Sequence, residues 1–163
     1  MALSFSSDGF GNNKTIPVQY TADGTDSSPP LSWAGSPAGT QSFAVICDDP
    51  DAPAAPAAPA ALGGTWVHWV IWNIPATTPG LRQNMQKTEH PIGPSVQGKN
   101  DFGRTGYNGP SPPSGTHRYF FKLYALDAML SLIAGAKKPQ LEAAMKGHVL
   151  AQAVLVGTYT RRR

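Results

Sequence analysis

Seventeen glycines and sixteen prolines interrupt this chain of 163 residues so often that long helices have little room to form. Between the interruptions the sequence is apolar and alternating. Residues 42–48 put Phe43, Val45 and Cys47 on one face and Ala44, Ile46 and Asp48 on the other, both mostly apolar, which predicts an internal strand. Residues 66–74 group Trp66, His68, Val70 and Trp72 opposite Val67, Trp69, Ile71 and Asn73, until Pro75 stops the run. Residues 117–126 place His117, Tyr119, Phe121 and Leu123 on one face and Arg118, Phe120, Lys122 and Tyr124 on the other. Asp8-Gly9, Asp23-Gly24 and Ser28-Pro29-Pro30 divide the first third into short strands. One short helix is expected, with Pro139 at its first position and Leu141, Ala144, Met145 and His148 at helical spacing, limited by Gly147. Residues 151–160 read as a closing strand. The pattern is that of a mainly β chain forming one domain over residues 1–163.

Two segments fit no strand or helix. Residues 76–115 are rich in Gly, Pro, Asn and Ser and predict an irregular surface excursion of a length that is usually functional. Residues 52–61 alternate Pro with Ala pairs and favour polyproline-like extension. Their uncharged part, residues 54–61, is expected to act as a flap at a pocket rim or as a homodimer contact.

Charge excludes some functions. The formal net charge of +3 equals the charge of the tail Arg161-Arg162-Arg163, so the remainder is close to neutral and lacks the basic face with interleaved aromatics that nucleic acid requires. Cys47 is the single cysteine, which excludes an internal disulfide and suits a reducing compartment. No segment is long and apolar enough to span a bilayer, and residues 1–10 lack a basic and apolar leader. A soluble, cytoplasmic protein is expected.

The candidate chemistry gathers at the mouths of the predicted strands. Asp48, Asp49 and Asp51 flank Pro50 and can either present carboxylates or serve as turn initiators bonding their own backbone; the local sequence leaves both readings open. The central Gly and terminal Glu of a calcium loop are missing. For His68 and His117 the default is a core histidine satisfied by backbone groups. A metal site of these two histidines with Asp49 finds no supporting ligand spacing. His90 is expected to be exposed and His148 to end the helix. There is no Gly-x-Ser-x-Gly elbow, and prolines explain Ser111 and Ser114 as turn residues. Asp48 and Asp49 disfavour a Cys47 thiolate, and glycines 103, 106 and 109 do not form a phosphate loop.

Three motifs in order carry a family likeness: Asp49-Pro50-Asp51-Ala52-Pro53; His68-Trp69 leading to Asn73-Ile74-Pro75; and Gly109-Pro110-Ser111-Pro112-Pro113-Ser114-Gly115-Thr116-His117-Arg118-Tyr119. With Ser28-Pro29-Pro30-Leu31-Ser32-Trp33, Tyr124-Ala125-Leu126-Asp127, Gly147-His148-Val149-Leu150 and Gly157-Thr158-Tyr159, the chain resembles the phosphatidylethanolamine-binding proteins. More closely it resembles their bacterial and archaeal branch, related to the Raf kinase inhibitor proteins. The resemblance implies a two-sheet antiparallel β-sandwich with a few short helices and a small end cavity for phosphate-like or carboxylate headgroups. It implies that Asp49 is the pocket carboxylate, His68 and His117 its histidines, and Tyr119 a wall hydroxyl. Ser111, Pro112 and Pro113 would close the rim, with Trp66 an apolar edge. Strand parity turns Arg118 away from the pocket, where pairing with Asp51 would hold the acidic loop in place. Relatives often carry Cys or Gly at Ser111, and residues 54–61 lengthen the link between the acidic and histidine motifs. The chain also stops soon after Tyr159, without the terminal helix of animal relatives.

The function expected from this reading is binding of a small anionic ligand, or of a phosphorylated group on a protein, in a regulatory role. No enzymatic activity, cofactor, metal, nucleic acid or membrane span is expected. The alternatives are a weak hydrolase using a pocket histidine and a protein-interaction module such as a kinase or protease inhibitor.

Overall fold

The computed structural model describes residues 2–52 and 65–160. The strands are β1 (Ser4–Ser6), β2 (Lys14–Thr15), β3 (Leu31–Ala34), β4 (Ser42–Asp49), β5 (Trp66–Pro75), β6 (Gly80–Leu81), β7 (Val96–Gln97), β8 (Thr116–Leu126) and β9 (Val149–Thr160). Helix α1 (Lys138–Met145) is the single α-helix among the described residues, and a 3-10 turn covers Val18–Tyr20. A six-stranded sheet in the order β2-β9-β8-β4-β5-β7 faces a small sheet in the order β1-β3-β6. The architecture is the expected mainly β sandwich, with one correction: β2 runs parallel to β9, so the large sheet is mixed rather than antiparallel throughout.

Strand β4 lies between β5 and β8, and every one of its residues is buried. Its pleat therefore feeds two cores. Phe43, Val45 and Cys47 join Trp69, Ile71, Phe121 and Leu123 under the small sheet, where Leu31, Trp33 and Leu81 cover them. Ala44 and Ile46 join Val70 and Trp72 beneath Leu141 and Met145 of α1. Strand β8 keeps its alternation along its whole length, so Phe121 enters the first core while Phe120 faces the other side under the Arg118 guanidinium.

Strand β5 breaks the simple alternation. Cys47 pairs with Trp69 but Asp48 pairs with Val67, leaving His68 as an extra residue; a second shift lies between Phe43–Ile74 and Val45–Ile71, where Asn73 takes a positive φ of 56°. Each bulge reverses the facing of the residues beyond it. His68 therefore packs with Tyr119 on the first-core side, apart from Val70 and Trp72 with which alternation groups it. The Asn73 bulge is held by its amide, which donates to the Leu130 carbonyl at 2.9 Å and accepts the Leu130 N–H at 2.7 Å.

Two further expectations change. Residues 76–115 do not simply cross the surface: Ser95, Val96, Gln97, Asn100, Tyr107 and Asn108 are buried, and the Gln97 amide accepts from Trp69 Nε1 while donating to the Gln86 and Thr88 carbonyls. His148 lies beyond α1, because Gly147 turns the chain at φ 84° and the ring then pairs with Asp127. Residues 54–61 and the Arg161-Arg162-Arg163 tail lie outside the described residues.

Candidate functional site

At one end of the large sheet, the strand mouths of β4, β5 and β8 enclose a cavity of about 250 Å³. Asp49, Trp66, His68, Ser111, Pro112, Pro113, His117 and Tyr119 all line it, so the structure brings together every pocket residue singled out from the sequence. Ala52 and Phe102 complete the wall. Phe102 was not legible in advance, being one aromatic residue in an otherwise polar excursion. It reaches the cavity because Asp101 is tied to β5, its N–H donating to the Val67 carbonyl and its Oδ2 accepting the Val67 N–H. The Phe102 ring then meets Trp66 and His68 edge-on at 5.3 and 5.4 Å between centroids.

The two imidazoles are anchored differently. Asp49 Oδ2 lies 2.7 Å from His117 Nδ1, and Asp49 Oδ1 accepts the Asp51 N–H at 2.8 Å. Both carboxylate oxygens are thus engaged by protein, and the ring nitrogen left to the cavity is His117 Nε2. His68 Nδ1 lies 2.6 Å from the Asn108 carbonyl, an acceptor only, which fixes the proton on Nδ1 and leaves Nε2 as the free lone pair of a neutral ring. Burial pulls the His68 pKa below the ordinary histidine value, outweighing the Asn108 carbonyl and the nearby Asp49, Asp26 and Asp48 carboxylates, which raise it. His68 is thus the satisfied core histidine of the default reading and a cavity wall at once.

Two donors in this wall stand unsatisfied. The Tyr119 hydroxyl and Trp66 Nε1 are buried atoms with no well-formed hydrogen bond among the described residues. Tyr119 is fully covered, stacked near His117 and edge-on to His68. Burial, and then the Asp49 carboxylate, push its phenol pKa up, while the nearby Ser111 backbone opposes this slightly; the group is a neutral donor at any physiological pH.

Around the cavity the remaining assignments fall into place. Arg118 turns to the opposite face of β8 and grips Asp51 with Nε at 2.9 Å and Nη2 at 2.8 Å, while its backbone N–H adds a third bond at 2.9 Å. That guanidinium holds the Asp51 carboxyl at about 2. Cys47 is buried in the core, where desolvation and then Asp48 and Asp49 push the thiol well up. Among the described residues no three His, Cys, Asp or Glu side chains are placed to share a metal ion, and no helix is long and apolar enough to cross a membrane.

A β-sandwich with this end cavity is a ligand-pocket architecture. The phosphatidylethanolamine-binding protein family model matches residues 6–160, and the chain belongs to that family. It is 48% identical over 159 residues to a UPF0098 protein of Methanothermobacter thermautotrophicus, covering 98% of this chain and 99% of that protein. Among solved structures it is similar to a phosphatidylethanolamine-binding protein homologue from Chlamydia trachomatis, with a TM-score of 0.87, 38% identity and 99% of each chain covered. Escherichia coli YbcL, a member of the mammalian family, also superposes with a TM-score of 0.87 at 29% identity, over 99% of this chain and all of that one.

Proposed function

We propose that the cavity binds the anionic group of a small ligand, a phosphate, sulfonate or carboxylate, and that the protein serves as a cytoplasmic binding and regulatory protein rather than an enzyme. The observation that carries this reading is the pair of buried donors, Tyr119 O–H and Trp66 Nε1–H, that find no acceptor among the described residues, beside an Asp49-backed His117. A buried donor without a partner costs about 1–3 kcal/mol, and a ligand oxygen would relieve that cost. Asp49 does not present a bare charge to such a ligand, because both its oxygens are taken. Its bond to His117 Nδ1 instead orients that ring, so that Nε2 is the nitrogen turned to the cavity. Burial holds His68 in its neutral form.

The reading is tested by calorimetric titration with benzenesulfonate. It should bind one to one, and His117→Ala should weaken binding about tenfold. Undiminished affinity in folded His117→Ala protein would abandon the anion pocket.

A further inference from the structure

Asn108 touches the cavity from behind, and its bonds run in one direction. Its backbone N–H donates to the His68 carbonyl at 3.1 Å and its carbonyl receives His68 Nδ1–H, so one residue grips both the backbone and the ring of the β5 bulge. Its side-chain Oδ1 accepts Asn100 Nδ2 at 2.8 Å, and Asn100 Oδ1 in turn accepts the N–H groups of Phe102 and Arg104 at 2.9 and 3.2 Å. Its Nδ2 donates to Asp26 Oδ2 at 2.9 Å, while Asp26 Oδ1 accepts the Gly109 N–H at 2.7 Å, where the rim loop to Ser111, Pro112 and Pro113 begins. Asn100 and Asn108 are buried.

We propose that Asp26 and Asn108 are positioning residues for this cavity, a clamp in which an amide held between an acceptor-only carboxylate and a backbone-fixed Asn100 keeps His68, the Phe102 loop and the rim loop together. It rests on the ligand-binding reading of the cavity. An amide can be turned around, and each link here is satisfied only while Nδ2 of one residue faces an oxygen of the next. Asp26 cannot donate, so it fixes the Asn108 amide from one side, and Asn100, whose Oδ1 accepts two backbone N–H groups while its Nδ2 also donates to the Gly106 carbonyl at 3.0 Å, fixes it from the other. Lys87 holds the carboxylate in place, donating to the Tyr107 carbonyl and to the Asp26 carbonyl at 3.0 Å, with Nζ 4.0 Å from Asp26 Oδ2. Gly109 lets the rim approach this closely: a side chain there would strike the Tyr20 carbonyl at 2.2 Å and Asp26 Oδ1 at 3.0 Å.

The polarity argument makes a sharp test. Asp26→Asn keeps the size of the residue but sets an NH₂ against either the Gly109 N–H or the Asn108 NH₂, because both Asp26 oxygens accept, and turning Asn108 only moves the second conflict to Asn100. The double variant Asp26→Asn with Asn108→Asp restores every link, because the amide placed at position 26 then donates to a carboxylate that still accepts from Asn100. Nitrogen NMR of the His68 ring reads the anchor directly, and benzenesulfonate titration reads the site. Wild type should show a single Nδ1–H tautomer. Asp26→Asn should show mixed or broadened His68 ring signals and about tenfold weaker binding, with both restored in the double variant. Folded Asp26→Asn with an unchanged ring signal and affinity overturns the clamp, as does a double variant no better than the single one. If Asp26→Asn alone does not fold, a double variant that folds with the wild-type ring signal supports the clamp and one that also fails to fold overturns it. The ring signals are read without any probe, so they decide the clamp even where the anion reading of the cavity fails.

Discussion

Asp48 and Asp49 are neighbours at the end of one strand, both buried, yet the pleat sends them to opposite faces of the sheet and into different chemistry. Asp48 faces α1 and is held by two lysines, Lys122 Nζ at 3.1 Å and Lys138 Nζ at 2.7 Å, with 1% of its side chain exposed. Asp49 faces the cavity, with 4% exposed, and is held by one imidazole and one backbone N–H. The first carboxylate is enclosed by two lysine side chains, and it ties β4, β8 and α1 together. The second adjoins open space and orients an imidazole that also lines the cavity. A buried acid is structural or part of a site according to whether its partner is spent inside the fold or turned toward open space.

Substitutions separate the two sides, and the largest effect is expected at Asp48. Asp48→Ala removes the shared anion from two partly buried ammonium groups and should cost about 2–4 kcal/mol in urea unfolding. Benzenesulfonate affinity of the folded fraction should stay within about twofold, and an equal loss of affinity would dissolve the contrast between the faces. Asp49→Asn should cost less, about 1–2 kcal/mol, because an amide can still accept one of the two bonds. Its signature is in the site: without the carboxylate that orients His117, benzenesulfonate binding should weaken about tenfold. Unchanged affinity would deny Asp49 its part in the site.

Two smaller effects sharpen the comparison through pH. Burial keeps the His68 pKa below its unfolded value of about 6.5, so the unfolded chain takes the proton more readily and stability declines as pH falls through 6.5. His68→Gln, which retains a donor for the Asn108 carbonyl, should remove that decline from urea midpoints measured between pH 7.5 and 5.5. The smallest effect belongs to Asp51. The Arg118 guanidinium lowers its carboxyl from 3.8 to about 2, so the pair's contribution is complete above 3.8 and fades as pH falls from there toward 2. The pair is substantially exposed, and Arg118→Met should lower Tm slightly at pH 5 and erase this acid limb. A Tm identical to wild type at pH 5 would deny the pair any part in holding the acidic loop.

Alternation along β4 and β8 was legible because both strands are regular and buried, and it placed Phe43, Val45 and Cys47, then His117, Tyr119 and Phe121, on the correct face together. It failed in β5, where two extra residues reverse the facing and no glycine or proline marks the places. The eight pocket residues came from motif resemblance, since nothing local relates Asp49 to His117 across 68 positions. Phe102, Asn108 and Asp26 stayed hidden because their roles depend on hydrogen bonds within and between loops, which have no sequence period.

By itself the sequence determined the class of fold, the central strands and which side chains each regular strand offers to each face, because pleat and turn chemistry act between neighbours along the chain. Only the tertiary structure decided which carboxylate meets lysines and which meets a histidine, which donors are left unpaired, and how the loops are clamped behind the cavity. Those outcomes depend on groups tens of residues apart arriving within about 3 Å of one another, and burial then gives such meetings their energetic weight.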